Sequence, residues 1–398
     1  MDHVRALAAL KSRTAGTPGE SRAIRYVHEQ LRHAAVDVQT ESFLFRSYHL
    51  DRATLRVGAV SVQPIRVEFD PYQGATEIRG RVALLTAAMA NGESGMMGDL
   101  SQRIVVTTGD ARDYRIAAHQ PAAIVFVSDN DFERLKPTAA DLAELVLNGQ
   151  VRTLRSANLV ATTRNSSALR EIIVSAHVDS AGTPGAQDNA SGVAVLLELA
   201  RTLPKLHLPY RLRFVFFGAE EFGLLGSQAY LDHHREDLQR CALLFNMDSV
   251  GGRDIWIDMR DGVQNLPPHK AFSRHPQEDL DKADDDFTGR WTLLRTANES
   301  SDTSNVPPWL QQAIRDSARE LGYRINEGRG ASSDHRTFAA AGIVATDIAI
   351  GGIKSHTPDD VPAQIIPSSL EQAARIVTGV VIRSIAALNS PASTQTIQ

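Results

Sequence analysis

The chain has 398 residues, 42% hydrophobic and 22% charged, with 42 Lys and Arg against 47 Asp and Glu for a formal net charge of −5. That length exceeds one ordinary core and indicates two structural units, while the balanced charge and the lack of any Lys/Arg cluster of five or more give no reason to expect a nucleic-acid partner. A single cysteine, Cys241, excludes an internal disulfide framework and any CxxC metal site.

At the N-terminus, MDHVRALAALKSRTAGTPGE lacks the uncharged core of a signal peptide, and no run of about 18 apolar residues occurs anywhere. As written, the chain reads as cytoplasmic and not membrane-bound, or as secreted or periplasmic if a signal peptide was removed. Residues 17–20, TPGE, read as a capping box with Pro18 at the first helical position, and Ile24, Val27 and Leu31 continue a helix of about four turns. VDVQTESFLFRS (36–47) alternates as a strand. RVALL (81–85), RIVVTT (103–108) and AAIVFVSD (122–129) are short β-rich runs, with a helix expected near 113–118. The pattern AADLAELVLNG reads as a helix ending at Gly149, followed by the strand SANLVATT.

From there strands and helices alternate. REIIVSAHVDS, LRFVFFGAE, ALLFNMDSVGG and IVATDIAIGG read as buried strands. GVAVLLELARTL, PPWLQQAIRDSARELGY and a last segment from about 368 to 388 read as helices. Alternation with near-continuous apolar strands predicts an α/β fold: a mixed, mostly parallel sheet covered by helices on both faces. Residues 260–306 are polar and rich in Asp, Pro and Ser and read as a long loop, and SPASTQTIQ as a disordered tail.

Acids and histidines collect at the carboxyl ends of these strands, where open α/β sheets bind their ligands. His177 and Asp179 end one strand, with Asp188 after a Gly/Pro loop; Glu220 and Glu221 end the next, Asp248 a third, and His356 follows the last. Carboxylate and imidazole ligands together suit zinc, and a bridging carboxylate allows two ions. In an HxD pair the Asp can accept the second imidazole N–H and fix the ligating tautomer. The same tripeptide at His49-Leu50-Asp51 has no such company. Each of these residues alone is better read as a cap, turn or core residue, as Asp188 ahead of its helix could be. No G-x-S-x-G elbow is present, and Cys241 lies at the wrong end of its strand for a nucleophile.

AHVDS (176–180), QDNASGVAVLLELAR (187–201), FFGAEEFGLLGS (216–227), FNMDSVG (245–251), SSDHRTFAAAGI (332–343) and SHTPDDV (355–361) together resemble the M28 family of zinc peptidases. RTAGTPGESRAIRYVHEQL resembles that family's N-terminal helix. The stretch between resembles an inserted protease-associated (PA) domain. The resemblance implies residues 1–50 and 156–390 as a zinc-peptidase domain, 51–155 as a PA-like β-rich insertion and 391–398 as the tail. It implies two Zn²⁺, one held by His177 and Asp248 and the other by Glu221 and His356, with Asp188 bridging. Asp179 would orient His177, Glu220 would be the general base for a zinc-activated water, and Asp334 and His335 would support the site. The substrate would be a peptide, losing its N-terminal residue. Many relatives carry a tyrosine just before the last histidine; here Ser355 stands there, so oxyanion stabilisation is left to the metals. The alternatives are glutaminyl cyclisation at a single zinc on the same scaffold, and a non-catalytic peptidase-like binding protein. Neither the oligomeric state nor the preferred N-terminal residue is legible.

Overall fold

The structure is a computed structural model, and it describes residues 1–69, 77–109, 111, 116, 119–138, 141–164, 168–269, 299–328, 333–352 and 354–389. Along the chain, helices α1 (Asp2–Ala8) and α2 (Pro18–Leu31) precede the long strand β1 (Val36–Val57). Then come β2 (Val60–Val62), β3 (Arg66–Phe69), β4 (Glu77–Leu84), α3 (Ala87–Asn91), β5 (Ile104–Thr108), β6 (Ala123–Val127) and α4 (Asp129–Leu135). A second long strand, β7 (Leu142–Thr163), leads to β8 (Glu171–His177), α5 (Ser191–Thr202), β9 (Arg211–Phe217), α6 (Leu225–His233) and β10 (Cys241–Met247). The chain continues through β11 (Asp254–Asp258), β12 (Asp261–His269), β13 (Glu299–Asn305), α7 (Pro308–Glu320), β14 (Asn326–Gly328), α8 (His335–Ala340), β15 (Ala345–Gly351) and α9 (Pro367–Leu388).

The centre of the sheet is parallel: β8 lies between β9 and β10, and β10 continues to β15. Every residue of β8 is buried because alternate side chains serve two cores. Ile172, Val174 and Ala176 pack with Leu196 and Leu199 of α5 and Ile376 and Val380 of α9. Ile173 joins Val215, Phe217 and Leu244 against Tyr230 of α6 and Phe338 of α8. Truncating a ring such as Phe217 there would cost about 3–5 kcal/mol in lost transfer energy and cavity. Helices α5 and α6 thus lie on opposite faces, and the chain passes from β9 back across β8 to β10. That reversal opens a crevice beyond the carboxyl end of β8.

A ribbon of β1 and β7 carries the second half of the sheet. The two strands pair antiparallel from Val36↔Thr163 to Val57↔Ala143, with a bulge between Leu50 and Arg52. The inner end of β7 pairs with β9 and the outer end with β4, from which β5, β6 and β3 extend the sheet. Leu55, Val82, Val106, Val125 and Leu145 form one core of this outer half, and Leu85, Val105, Ile124 and Phe126 another.

Several expectations need correction. The helix read into AADLAELVLNG is the outer half of β7. Ala143, Leu145 and Leu147 are buried and alternate with less buried neighbours, and pairing to β1 on one side and β4 on the other overrides the helical propensity of Ala, Leu and Glu. The capping box is not formed: the Thr17 hydroxyl donates to the Thr14 carbonyl, and Glu20 accepts from the Gly16 amide (2.7 Å) instead. The 260–306 stretch is not loop throughout, since β12 and β13 pair antiparallel at its two ends. The expected helix near 113–118 falls largely, and the 390–398 tail entirely, outside the described residues. No described helix is long and apolar enough to cross a membrane.

Candidate metal centre

Four strand ends converge on the crevice. Strand β8 ends in His177, and Asp179 follows two residues on, both fully buried. After β9, Ala219 takes a left-handed conformation (φ 52°) and turns Glu220 and Glu221 back over the crevice in a single 3₁₀ turn. Asp248 follows β10 and His356 follows β15. Asp188 lies just ahead of α5, where the Asn189 side chain holds the backbone by donating to the Met247 carbonyl (2.9 Å) and accepting from the Gly192 amide (2.9 Å).

Two donor groups result. Nε2 of His177 is 3.1 Å from Oδ1 of Asp188 and 3.3 Å from Oδ1 of Asp248. Nε2 of His356 is 3.0 Å from Oδ2 of Asp188 and 3.3 Å from Oε2 of Glu221. Candidate ligand atoms within each trio lie within 4.8 Å of one another. Asp188 belongs to both and offers a different oxygen to each. Buried acceptor-only carboxylates facing two imidazoles are a donor set that fits a pair of zinc ions sharing one carboxylate.

The electrostatics point the same way. Burial alone would lower His177, but the carboxylates of Glu220 and Asp248, with the hydrogen bonds of Asp179 and Asp188, hold it well above its ordinary value. Burial likewise acts to raise Asp188, yet the two imidazoles bring it far below the carboxylate range. A cluster that favours protonated rings favours divalent cations beside neutral ones. Glu220 is pushed well above its ordinary value by burial, opposed by His177 and assisted by Asp248 and Glu221. It belongs to neither trio.

Asp179 does more than the HxD reading expected. Its Oδ1 lies 3.4 Å from Nδ1 of His177, and it also accepts the backbone N–H groups of Glu220 and Glu221, one on each oxygen, both at 3.1 Å. One carboxylate therefore ties the end of β8 to the turn after β9. Sequence reasoning missed Asp360 as a contributor: it accepts from the backbone amides of Gln187 (2.6 Å) and Asp188 (3.1 Å), joining the His356 loop to Asp188. Its one signal in the sequence is the second Asp of SHTPDDV. Asp334 is fully buried, raised by that burial to about 7, and feels His177, Asp179 and Asp248. His335 instead pairs with Asp258 (3.3 Å) and joins neither trio. His49 and Asp51 lie on β1 next to its bulge, and Asp51 belongs to neither trio.

A further group, Glu41, His233 and His234, has ligand-type atoms close together. The Arg213 guanidinium lies 3.3 Å from Nδ1 of His234 and can only donate, so Nε2 carries the proton and donates to Glu41 (2.9 Å). That wiring leaves His234 no lone pair for a metal.

The sequence pattern of "Peptidase family M28" matches residues 158–381, more than half of the chain and the segment that supplies all of these strand ends. The chain belongs to peptidase family M28. Among its relatives, the aminopeptidase YwaD of Bacillus subtilis is 26% identical over 421 residues, an alignment covering 95% of this chain and 82% of that protein. The solved structure of BSAP, described as a zinc aminopeptidase from Bacillus subtilis, superposes with a TM-score of 0.62 at 22% identity, covering 98% of this chain and 97% of that one. A glutaminyl cyclase of Porphyromonas gingivalis shares the fold more distantly, with a TM-score of 0.51 at 16% identity over 97% of this chain and 96% of its own. Fold alone therefore does not choose between the chemistries.

Proposed function

We propose that this M28 chain is a zinc-dependent aminopeptidase that removes N-terminal residues from peptides at a two-zinc site. The observation that carries the reading is Asp188, whose two oxygens face separate histidine-containing donor groups. A single-zinc cyclase would need one group only. In this assignment His177 and Asp248 hold one ion, Glu221 and His356 the other, and Asp188 bridges.

Zinc bound there would polarise the scissile carbonyl and lower the pKa of the attacking water. Glu220 stands at the crevice outside both trios, and unlike Asp179 it is not holding the backbone amides of the turn, which suits it to accept that water's proton and return it to the leaving amine. Zinc cations nearby would offset the burial and the neighbouring acids that hold its value high, leaving it ionised as a base must be. Asp179 keeps the Nδ1 proton of His177 facing away from the ion, so that Nε2 ligates. We assign the outer half of the sheet, from the far ends of β1 and β7 through β6, as a PA-like insertion. Its separate cores support that reading, and none of the assigned ligands lies on it.

Metal content per chain, measured beside turnover of aminoacyl p-nitroanilides, an N-blocked peptide and an N-terminal glutamine peptide, tests the proposal. Two zinc ions, hydrolysis only of free N-termini, loss on chelation and return with zinc or cobalt are expected. Full activity after metal removal, or cyclisation in place of hydrolysis, would refute it.

A further inference from the structure

We propose that Arg13 is a positioning residue of the metal centre: its guanidinium clamps both ends of the loop from His177 to Asp188 and so sets where Asp188 stands between the two donor groups. The inference rests on the two-zinc reading and adds to it a residue from the far end of the chain.

Arg13 lies in the turn before α2 and is fully buried. Its Nε donates to the carbonyl of Val178 (2.9 Å), one residue after His177. Nη1 donates to Pro184 (2.7 Å) and Nη2 to Gly185 (3.0 Å), at the far end of the same loop, with a longer contact from Nη2 to Asp179 (3.4 Å). The Arg13 backbone N–H donates to the Ser180 hydroxyl (3.0 Å), which itself donates to the Thr183 carbonyl (2.9 Å). One side chain thus measures out the span between two proposed ligands.

The loop is shaped to admit it. Gly185 adopts φ +57°, and a Cβ there would stand 2.8 Å from Nη2 of Arg13 and 2.4 Å from the Asp188 carbonyl. Only glycine leaves that room. These donated bonds reach carbonyls and not carboxylates, so the buried charge is not cancelled by a local ion pair. Burying a cation is costly unless negative charge surrounds it. Here burial pulls the Arg13 value down, while Asp360, Asp179, Asp188 and Glu221 favour its cation. A fixed positive charge among these acids offsets their mutual repulsion and lets Asp188 and Glu221 stay close enough to share an ion. Lysine could not replace it: an ammonium is a point donor, whereas the guanidinium is a planar fork that meets carbonyls on two sides at once.

The test compares wild type, Arg13→Ala and Arg13→Lys by cobalt titration of the metal-stripped chains, the cobalt absorption spectrum, and kcat and KM separately. Loss of such an outer contact is expected to weaken ion binding by about 10–100-fold. Both variants should show a changed cobalt spectrum and a fall in kcat with KM little altered. Guanidinium ion, far below denaturing concentrations, should restore part of the affinity and spectrum of Arg13→Ala, while equal sodium chloride should not. If Arg13→Ala fails to fold, Arg13→Lys decides by the same cobalt readouts. A folded variant that binds two cobalt ions with wild-type affinity and spectrum overturns the proposal and leaves the peptidase reading intact. Wild-type protein that binds no cobalt overturns both.

Discussion

Replacing Asp179 with asparagine probes the joint between the two halves of the site. The wild-type carboxylate accepts the backbone amides of Glu220 and Glu221 and stands 3.4 Å from Nδ1 of the His177 ring. Asparagine has one oxygen and an NH₂ group that can only donate. If its oxygen stays where Oδ1 was, it keeps His177 and Glu220, and the NH₂ confronts the Glu221 amide. Turned the other way, it forfeits His177 and Glu220 together, so the first orientation is preferred. The cost is one charge-assisted bond and one buried, unsatisfied amide, about 2–4 kcal/mol in stability. Because the clash falls on the Glu221 backbone, the damage concentrates on the ion shared by Glu221 and His356. Its affinity should fall by about 10–100-fold, with activity partly recovered by excess zinc. Urea unfolding of the metal-stripped protein gives the first quantity, and zinc titration followed by kcat gives the second. An Asp179→Asn chain with unchanged stability, or one that weakens only the His177 ion, would refute this reasoning.

The adjacent glutamates should separate cleanly. Glu220→Gln should keep both ions while turnover falls by about 10²–10⁴-fold; Glu221→Gln should release one ion, with activity returning as zinc is raised. Metal analysis that finds the loss in the Glu220 variant would reverse the roles. Glu20, buried in the first turn of α2, accepts from Ser156 (2.6 Å) and Gly16 (2.7 Å), and burial together with Asp179 pushes its carboxyl up to about 8. Its unfolded-state value is near 4.5, so in the chain stripped of metal Glu20 should contribute a loss of stability as pH rises from there to about 8, by at most about 1.4 kcal/mol per pH unit, beside the separate share of the raised Asp334 and Asp360 carboxyls. Glu20→Gln imitates the protonated acid and should lack that slope, and urea midpoints that fall in parallel for both chains would contradict it.

The central architecture was readable because its cause is local. Apolar runs such as EIIVSA and RFVFF, separated by helical periodicity, dictate strands buried on both faces, and parallel strands with crossover helices place their carboxyl ends on one rim. Ligand-type residues at those ends, His177, Asp188, Glu221, Asp248 and His356, could therefore be picked out by their positions along the chain. Local signals failed where partners are distant in sequence. The outer half of β7 has helical residues but two strands to pair with. The TPGE turn makes its own arrangement because Glu20 is drawn to Ser156, 136 residues away. Which oxygen of Asp188 meets which histidine, the two amides gathered by Asp179 beside His177, the hold of Asp360 on the Gln187 and Asp188 amides, and the reach of Arg13 across more than 160 residues were decided only by tertiary structure. Most of these contacts end on backbone N–H and C=O groups, which every residue type carries, and so leave no mark in the sequence of the partner.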